Sequence, residues 1–246
     1  DEFFEQCDKL LDAGITPLSM DTADSGWVTS LMLGAMIGES DEGEQFMNTM
    51  LPTDYNTKEF IDAATRIQTM FQKYTTPDAV GGKYENAASN FFMGQTAIIA
   101  NGPWMISDFY DTSMVEDGFA DKVGTAMYPG DVMYNSGKIG FNVASKDEKT
   151  LDATLTFVKF LTNEESQLAI GNATSEGPAN TVAAAQIDSP ALAALAAQSE
   201  FADQQVVGNN YWDPAKALGQ NLVDGATDLQ AVLDDAVAGI TQPVAE

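Results

Sequence analysis

Three tryptophans are spread through the 246-residue chain, and each stands beside side chains that can form hydrogen bonds. The three sets are Asp24, Ser25 and Trp27; Asn101, Trp104 and Asp108; and Asn210, Tyr211, Trp212 and Asp213. An indole offers a flat apolar face to the C–H patches of a sugar ring, while carboxylates and amides pair with its hydroxyls. The alternative is that the tryptophans are core residues and the polar neighbours are solvated, since the chain has 37 acidic residues.

The composition excludes several kinds of catalytic and metal site. The chain has no histidine and one cysteine, Cys7. A Ser-His-Asp triad, a Cys-His dyad, a histidine-ligated metal and an intrachain disulfide are therefore excluded. The acidic run 39–44 lacks the spacing of a calcium-binding EF-hand loop, and a solvated loop is expected there. We expect no metal and no cofactor.

Charge and hydropathy limit the partners. Lys and Arg number 11 against 37 Asp and Glu, giving a formal net charge of -26. Such a surface repels phosphate backbones, so nucleic acid is not expected as a partner. The most apolar run, 91–105, is interrupted by Gly, Asn and Pro and is too short for a membrane span. Because the chain does not begin with Met, we expect its start to be an expression boundary or a cleavage point.

Alternating periodicities predict an α/β chain. Apolar residues three and four apart predict helices over 1–13, from Trp27, over 58–74, over 88–93, from Trp104 and over 151–161, with an Ala-rich helical region from 181. Short apolar runs predict strands at 15–18, 96–100, 123–127 and 139–144. Loops are expected at 38–44, 75–87 and 171–180. Thr57 and Thr162 are predicted N-caps, the latter with Glu165 in a capping box. Met32, Met36, Met70 and Met93 fit helical core positions.

Four segments, in order, resemble one family. They are 2–18, with Gly14-Ile15-Thr16-Pro17-Leu18; 91–104, similar to the pattern F-x-x-G-x-A-A-M-x-x-x-G-x-W; 137–145 followed by 153–165; and 177–180. The chain resembles the bacterial extracellular solute-binding proteins of ABC sugar importers, the family that includes maltose-binding protein. The second segment is the most specific, and the resemblance spans essentially the whole chain.

The resemblance implies a type II periplasmic-binding-protein-like fold of two lobes. Residues 1–135 would form the first part of the C-terminal lobe, 136–183 a returning segment of the N-terminal lobe, and 184–246 the closing helices of the C-terminal lobe. Most of the N-terminal lobe of the family has no counterpart in this chain.

The same resemblance ranks the candidate ligand-binding residues. In the family the tryptophan of the second segment faces ligand, which favours Trp104, and Asn101 lies at a helix start beside it. Trp212, with Tyr211, is similar to a late aromatic residue that also stacks on sugar. Gly137 falls where the chain crosses between lobes, and its backbone freedom would suit a hinge. Trp27 and the other polar residues are candidates from their position beside tryptophan.

The function implied is capture of a carbohydrate between two lobes and its delivery to the membrane permease subunits of an ABC importer, without catalysis. Three stacking aromatic residues favour an oligosaccharide. A same-family binder of a non-sugar polar or cationic solute is the alternative. A glycoside hydrolase is a remote one, because it needs an Asp/Glu pair and no pair has a diagnostic spacing.

Location and association follow from the same resemblance. We expect an extracellular or periplasmic protein, lipid-anchored in its full-length form. A lobe without its partner exposes apolar surface, so this chain is expected to self-associate.

Overall fold

The computed structural model describes residues 2–24, 26–49, 52, 54–134, 147–174, 177–199, 202, 204–206 and 231. They fall into two compact units. The first holds the described residues within 1–101, 127–136 and 201–246, and the second those within 102–126 and 137–200.

The first unit contains helices and parallel strands. Its helices are α1 (Glu2–Asp12), α2 (Trp27–Ile37), α3 (Asp41–Met47), α4 (Lys58–Lys73), a 3-10 turn (Pro77–Ala79) and α5 (Tyr84–Phe92). Its strands are β1 (Thr16–Ser19), β2 (Thr96–Ile99), β3 (Val132–Tyr134) and β4 (Gln204–Val206). β1 runs parallel to β2, with Leu18 opposite Ile98, and also forms a parallel bridge from Leu18 to Thr75. β3 runs parallel to β4.

The core of the first unit is built around α2. Every residue of α2 after Trp27 is buried, because the helix is apolar on all sides and such a helix is stable only inside a core. α4 is amphipathic and packs its apolar face, which includes Phe60 and Ile67, against α2. The predicted cap is confirmed, since the Phe60 amide donates to Thr57 Oγ1 at 3.2 Å. Full burial of a side chain such as Phe60 contributes about 2–3 kcal/mol.

Three predictions in the first unit are wrong. The 38–44 region is not a loop: Ser40 caps α3 by accepting a bond from the Gly43 amide, and acids in the first turn suit the positive helix N-terminus. α5 begins at Tyr84, within the predicted 75–87 loop. Met93 follows the end of α5 and is 60% exposed, so it is not a core residue.

The regular elements in the described part of the second unit are all helices. It contains 3-10 helices over Pro103–Tyr110 and Phe119–Lys122, then α6 (Glu148–Leu161), α7 (Glu164–Thr174), α8 (Thr181–Ala184) and α9 (Pro190–Ser199). No residue of α6 is buried, and its Phe157 and Phe160 are 58% and 59% exposed.

The second unit also departs from prediction. Residues 123–127 are irregular and form no strand, and α7 continues to Thr174 within the predicted 171–180 loop. Thr162 does not cap α7, because its hydroxyl donates back to the Val158 carbonyl at 2.9 Å. Asn163 takes that role, accepting from the Ser166 amide at 2.8 Å. The predicted 139–144 strand lies outside the described residues.

Candidate functional site

Three loops of the first unit leave one edge of its sheet. β1 and β2 are parallel, and Ser19 and Ile99 at their carboxyl ends lie opposite each other. Thr75, which forms a parallel bridge with Leu18 of β1, begins the connection to α5. Loops at the carboxyl ends of parallel strands form the usual ligand crevice of α/β folds. This edge therefore carries the β1–α2 loop (described residues 20–24 and 26), the α4–α5 loop (75–83) and Asn101.

The β1–α2 loop is fastened to the α4–α5 loop. The amides of Thr22 and Ala23 both donate to the Gly82 carbonyl, at 3.1 and 2.9 Å. The Gly81 amide donates to Thr22 Oγ1 at 2.7 Å. Lys83 Nζ lies 3.1 Å from the Asp24 carboxylate. These bonds hold the two loops in one arrangement.

Two predicted residues of the β1–α2 loop and helix start occupy this edge. Trp27 is the first residue of α2 and is half-buried. Asp24 is exposed and has φ of 53°, a left-handed backbone conformation that Asp adopts more readily than most residues. A carboxylate held in a strained loop by one cation is available to a hydroxyl or a cationic group of a ligand.

The buried carboxylate of Asp21 connects this loop to the first turn of α2. Asp21 is 1% exposed, its Oδ1 accepts from the Thr29 amide at 3.2 Å, and the amides of Trp27 and Val28 also face it. Burial raises the pKa of Asp21 to about 6, and the hydrogen bonds from the α2 amides partly oppose the rise.

Asn101 joins the same edge through tyrosines that sequence reasoning missed. Its Nδ2 donates to the Tyr84 hydroxyl at 3.1 Å, and its carbonyl accepts from the Tyr128 hydroxyl at 3.4 Å. Tyr84 follows Lys83 directly, so Asn101 and Asp24 both connect to the start of α5. Burial raises the pKa of the Tyr128 phenol well above its usual range, and Tyr134 adds to the rise. The Tyr128 phenol therefore remains a neutral hydrogen-bonding group at physiological pH.

Trp104 and Asp108 lie in the second unit, on the 3-10 helix that begins at Pro103 after Gly102. The indole of Trp104 lies back against the backbone of Gly102, where any Cβ would collide with the ring. Glycine at position 102 permits this packing, because any other residue would force the indole to move. Asp108 is half-buried, and burial, with a smaller effect of Asp111, raises the pKa of its carboxyl.

The remaining predicted site residues lie outside the described part of the chain: Ser25, Gly137, Asn210, Tyr211, Trp212 and Asp213. Their assignment stays a prediction. Among the described residues no group of three or more cysteines or acids could hold a metal ion. No helix in the described part is both long and apolar enough to cross a membrane.

A depression of about 400 Å³ in the second unit is lined by Thr162 and residues 179–182, none of them a predicted site residue. Its polar groups serve the local backbone, since Asn180 caps α8 and donates to the Thr162 carbonyl at 3.2 Å. The sheet edge of the first unit is therefore the better candidate site.

The family is decided by comparison with known proteins. The model of the family described as bacterial extracellular solute-binding protein matches residues 1–201. The chain belongs to this family. The resemblance of the four sequence segments is thereby confirmed.

Relatives and solved structures agree with that assignment. A maltooligosaccharide ABC transporter solute-binding lipoprotein of Streptococcus pneumoniae is 30% identical over 162 residues, which is 63% of this chain and 38% of that protein. A chitin oligosaccharide binding protein matches with a TM-score of 0.76 at 20% identity, covering 97% of this chain and 64% of that one. The solute-binding protein RafE in complex with raffinose matches with a TM-score of 0.65 at 18% identity, covering 98% and 65%.

These structural matches establish the fold of this family member. The solute-binding protein has the type II periplasmic binding fold predicted from its sequence, in a helix-rich α/β form. The chain spans about two fifths of the curated relative and about two thirds of the solved structures. The lobe boundaries at 135 and 183 stay a prediction.

Proposed function

We propose that this chain is part of a carbohydrate-binding protein, with an oligosaccharide as its ligand, that serves an ABC importer. The observation that carries the proposal is the sheet edge that holds Trp27 at the start of α2 and, at the start of α5, Asp24 bound to Lys83 and Asn101 bound to Tyr84. It offers an aromatic face, a carboxylate, an amide and a phenol, which are the groups that bind sugar rings and their hydroxyls. The names of similar proteins, which refer to maltooligosaccharide, chitin oligosaccharide and raffinose, support the same ligand class.

In this proposal Trp104 adds a second aromatic face, and Trp212 a third. Binding is followed by closure of two lobes, because ligand contacts made from both sides shift the population toward the closed state. The protein acts outside the cytoplasm, anchored by lipid in its full-length form, and delivers the sugar to permease subunits in the membrane.

The test is a titration followed by tryptophan fluorescence, with malto-oligosaccharides, chito-oligosaccharides and raffinose. It is run on this chain and on a form extended to the length of the relatives. A saturable change with one sugar is expected. Trp27→Ala and Trp104→Ala should each weaken binding about tenfold, because stacking contributes about 1–1.5 kcal/mol.

The control is Tyr110→Ala, which removes an exposed aromatic residue from the helix that carries Trp104. This variant should bind as the parent does. A titration in which neither form responds to any of the sugars would refute the carbohydrate assignment.

Binding of a cationic or other polar solute is the second candidate, favoured by the exposed Asp24 carboxylate and the net charge of -26. Spermidine, run in the same titration, distinguishes it: saturation by spermidine and not by sugar would favour this candidate.

Catalysis is not proposed. A glycoside hydrolase needs an accessible acid with a raised pKa and a second carboxylate across the substrate. Two acids of the described part have a raised pKa: Asp21, which is buried against α2, and half-buried Asp108, which lies in the second unit and not at the candidate sheet edge. Hydrolysis of an aryl glycoside by the purified protein, abolished by one Asp or Glu substitution, would overturn this view.

A further inference from the structure

Lys83 is the one cation among the described residues of the candidate sheet edge. The same residues include three acids, which are buried Asp21, exposed Asp78 and exposed Asp24. The Asp78 carboxylate is bound by Asn90, whose Nδ2 lies 3.2 Å from both oxygens. The ammonium of Lys83 lies instead against Asp24, 3.1 Å from its Oδ2. A chain with few cations thus places one of them beside the exposed carboxylate of the β1–α2 loop.

The backbone holds this pair in position without help from the ion pair itself. Asp24 lies in a turn in which the Gly26 amide donates to the Ala23 carbonyl at 2.9 Å. At the start of α5 the Lys83 amide donates to Asn86 Oδ1 at 3.0 Å. The side chains of Lys83 and Asp24 are 58% and 65% exposed, so the pair contributes little to stability. Its removal should leave both loops in place.

An exposed ion pair of this kind is suited to recognition. A carboxylate accepts hydrogen bonds and an ammonium donates them, so the pair can bind two neighbouring hydroxyls of one sugar. A carboxylate without a cation would instead attract cationic solutes, and the net charge of -26 strengthens that attraction. Lys83 opposes it, because a cation that approaches Asp24 meets an ammonium 3.1 Å from the same carboxylate.

We propose that Lys83 is a specificity-determining residue, which pairs with Asp24 so that the site accepts uncharged polyhydroxylated ligands and rejects cationic solutes. The inference rests on the proposed function, because it concerns which ligands that same site selects. It assigns Lys83 a role in selection and none in holding the fold.

The first experiment measures the rejection of a cation and needs no sugar. In a Trp104→Phe, Trp212→Phe background, Trp27 is the sole tryptophan and lies three residues from Asp24, so its emission reports on this edge. Spermidine is titrated in salt of about 0.15 M, which screens attraction by distant charges. Lys83→Gln should bind spermidine about fivefold more tightly than the background protein does, the effect of one unit charge near 4 Å in water.

Matched variants separate the local charge from the net charge. Lys58→Gln makes the same change in net charge and also leaves a carboxylate unpaired, because Lys58 pairs with Asp62. Since it lies at the start of α4, about 24 Å along the helix from the α4–α5 loop, this variant should bind spermidine as the background does. Lys83→Arg keeps the positive charge and should also bind no more tightly. Asp24→Asn added to Lys83→Gln should abolish the gain.

Two results of this titration would overturn the inference. One is an equal affinity of the background protein and Lys83→Gln for spermidine, in a variant shown by circular dichroism to be folded. The other is a gain that Lys58→Gln shows as well, because the effect would then come from the net charge of the chain.

The second experiment uses the protein with its native tryptophans and the sugar found in the titration above. Lys83→Gln keeps a donor in its amide, so its affinity for the sugar should fall by about threefold or less while its affinity for spermidine rises. A similar loss of affinity for both ligands would indicate a structural role and would overturn the inference. Failure of every sugar to bind would refute the proposed function, while the spermidine titration still decides whether Lys83 rejects cations.

Discussion

Replacing Asp21 by Asn changes stability in opposite directions at neutral and acidic pH. Burial raises the pKa of Asp21 from 3.8 to about 6, so the ionised side chain destabilises the folded protein. This contribution favours folding below the unfolded-state pKa and is lost as pH rises through about 6. The parent therefore gains stability from this group as the pH falls from 7.5 to 4.

The magnitude follows from the shift. One pKa unit corresponds to about 1.4 kcal/mol, so a shift of about two units corresponds to about 3 kcal/mol. The asparagine removes that cost but places an NH₂ where Oδ2 has no partner, which costs about 1–2 kcal/mol. Asp21→Asn should thus be about 1–2 kcal/mol more stable than the parent at pH 7.5, and less stable by a similar amount at pH 4.

The assay is urea unfolding followed by the emission of Trp27 as sole tryptophan, which reports on the first unit. Because variant and parent are compared at the same pH, the pH-dependent contributions to stability of acids whose pKa is lowered, such as Asp8 and Asp78, cancel. A difference between variant and parent that does not depend on pH would refute the reasoning, and so would a variant less stable than the parent at pH 7.5.

Three further predictions concern packing. Gly14→Ala and Gly130→Ala each replace a glycine with a left-handed backbone, and Gly130→Ala should lower the free energy of unfolding more. The Cβ at 130 would lie 2.6 Å from Glu39 Cγ, whereas the Cβ at 14 meets nothing within 4 Å and should cost about 1–2 kcal/mol. Equal losses of stability in urea unfolding would contradict this. Cys7 is buried, and burial is the main reason that the pKa of its thiol is raised to about 11. A thiol reagent at pH 8 should therefore label Cys7 only after the protein unfolds. Rapid labelling of the native chain would disprove this. The self-association expected of this chain should be weakened by Phe157→Ser on exposed α6, and sedimentation showing only monomer of the parent at high concentration would count against it.

Local signals allowed much of the first unit to be predicted. The apolar periodicity of α4 and its Thr57 cap each depend on residues that are close together in the sequence. Neighbouring side chains alone therefore determine them. The burial of α2 could likewise be predicted, because a helix that is apolar on all sides must be buried irrespective of which elements pack against it.

Elements that depend on distant partners were missed. β3 has three residues and is a strand because β4, about seventy residues later, pairs with it in register. The choice between Thr162 and Asn163 as the cap of α7 was decided by the preceding helix, whose carbonyl takes the Thr162 hydroxyl. Such competition between acceptors is settled only when both helices are in place.

Some features of the candidate site could also be predicted from the sequence, whereas others depend on the tertiary structure. The sequence by itself determined the family, through spaced segments such as 91–104, and marked Trp27 and Asn101 by type and position. Only the tertiary structure placed Tyr84 against Asn101, since contact between residues seventeen apart depends on how α5 and β2 pack. It also singled out Asp21, one of 37 acids that are alike in sequence. The pKa of a carboxyl is decided by the solvent and hydrogen bonds around it, and folding alone sets these.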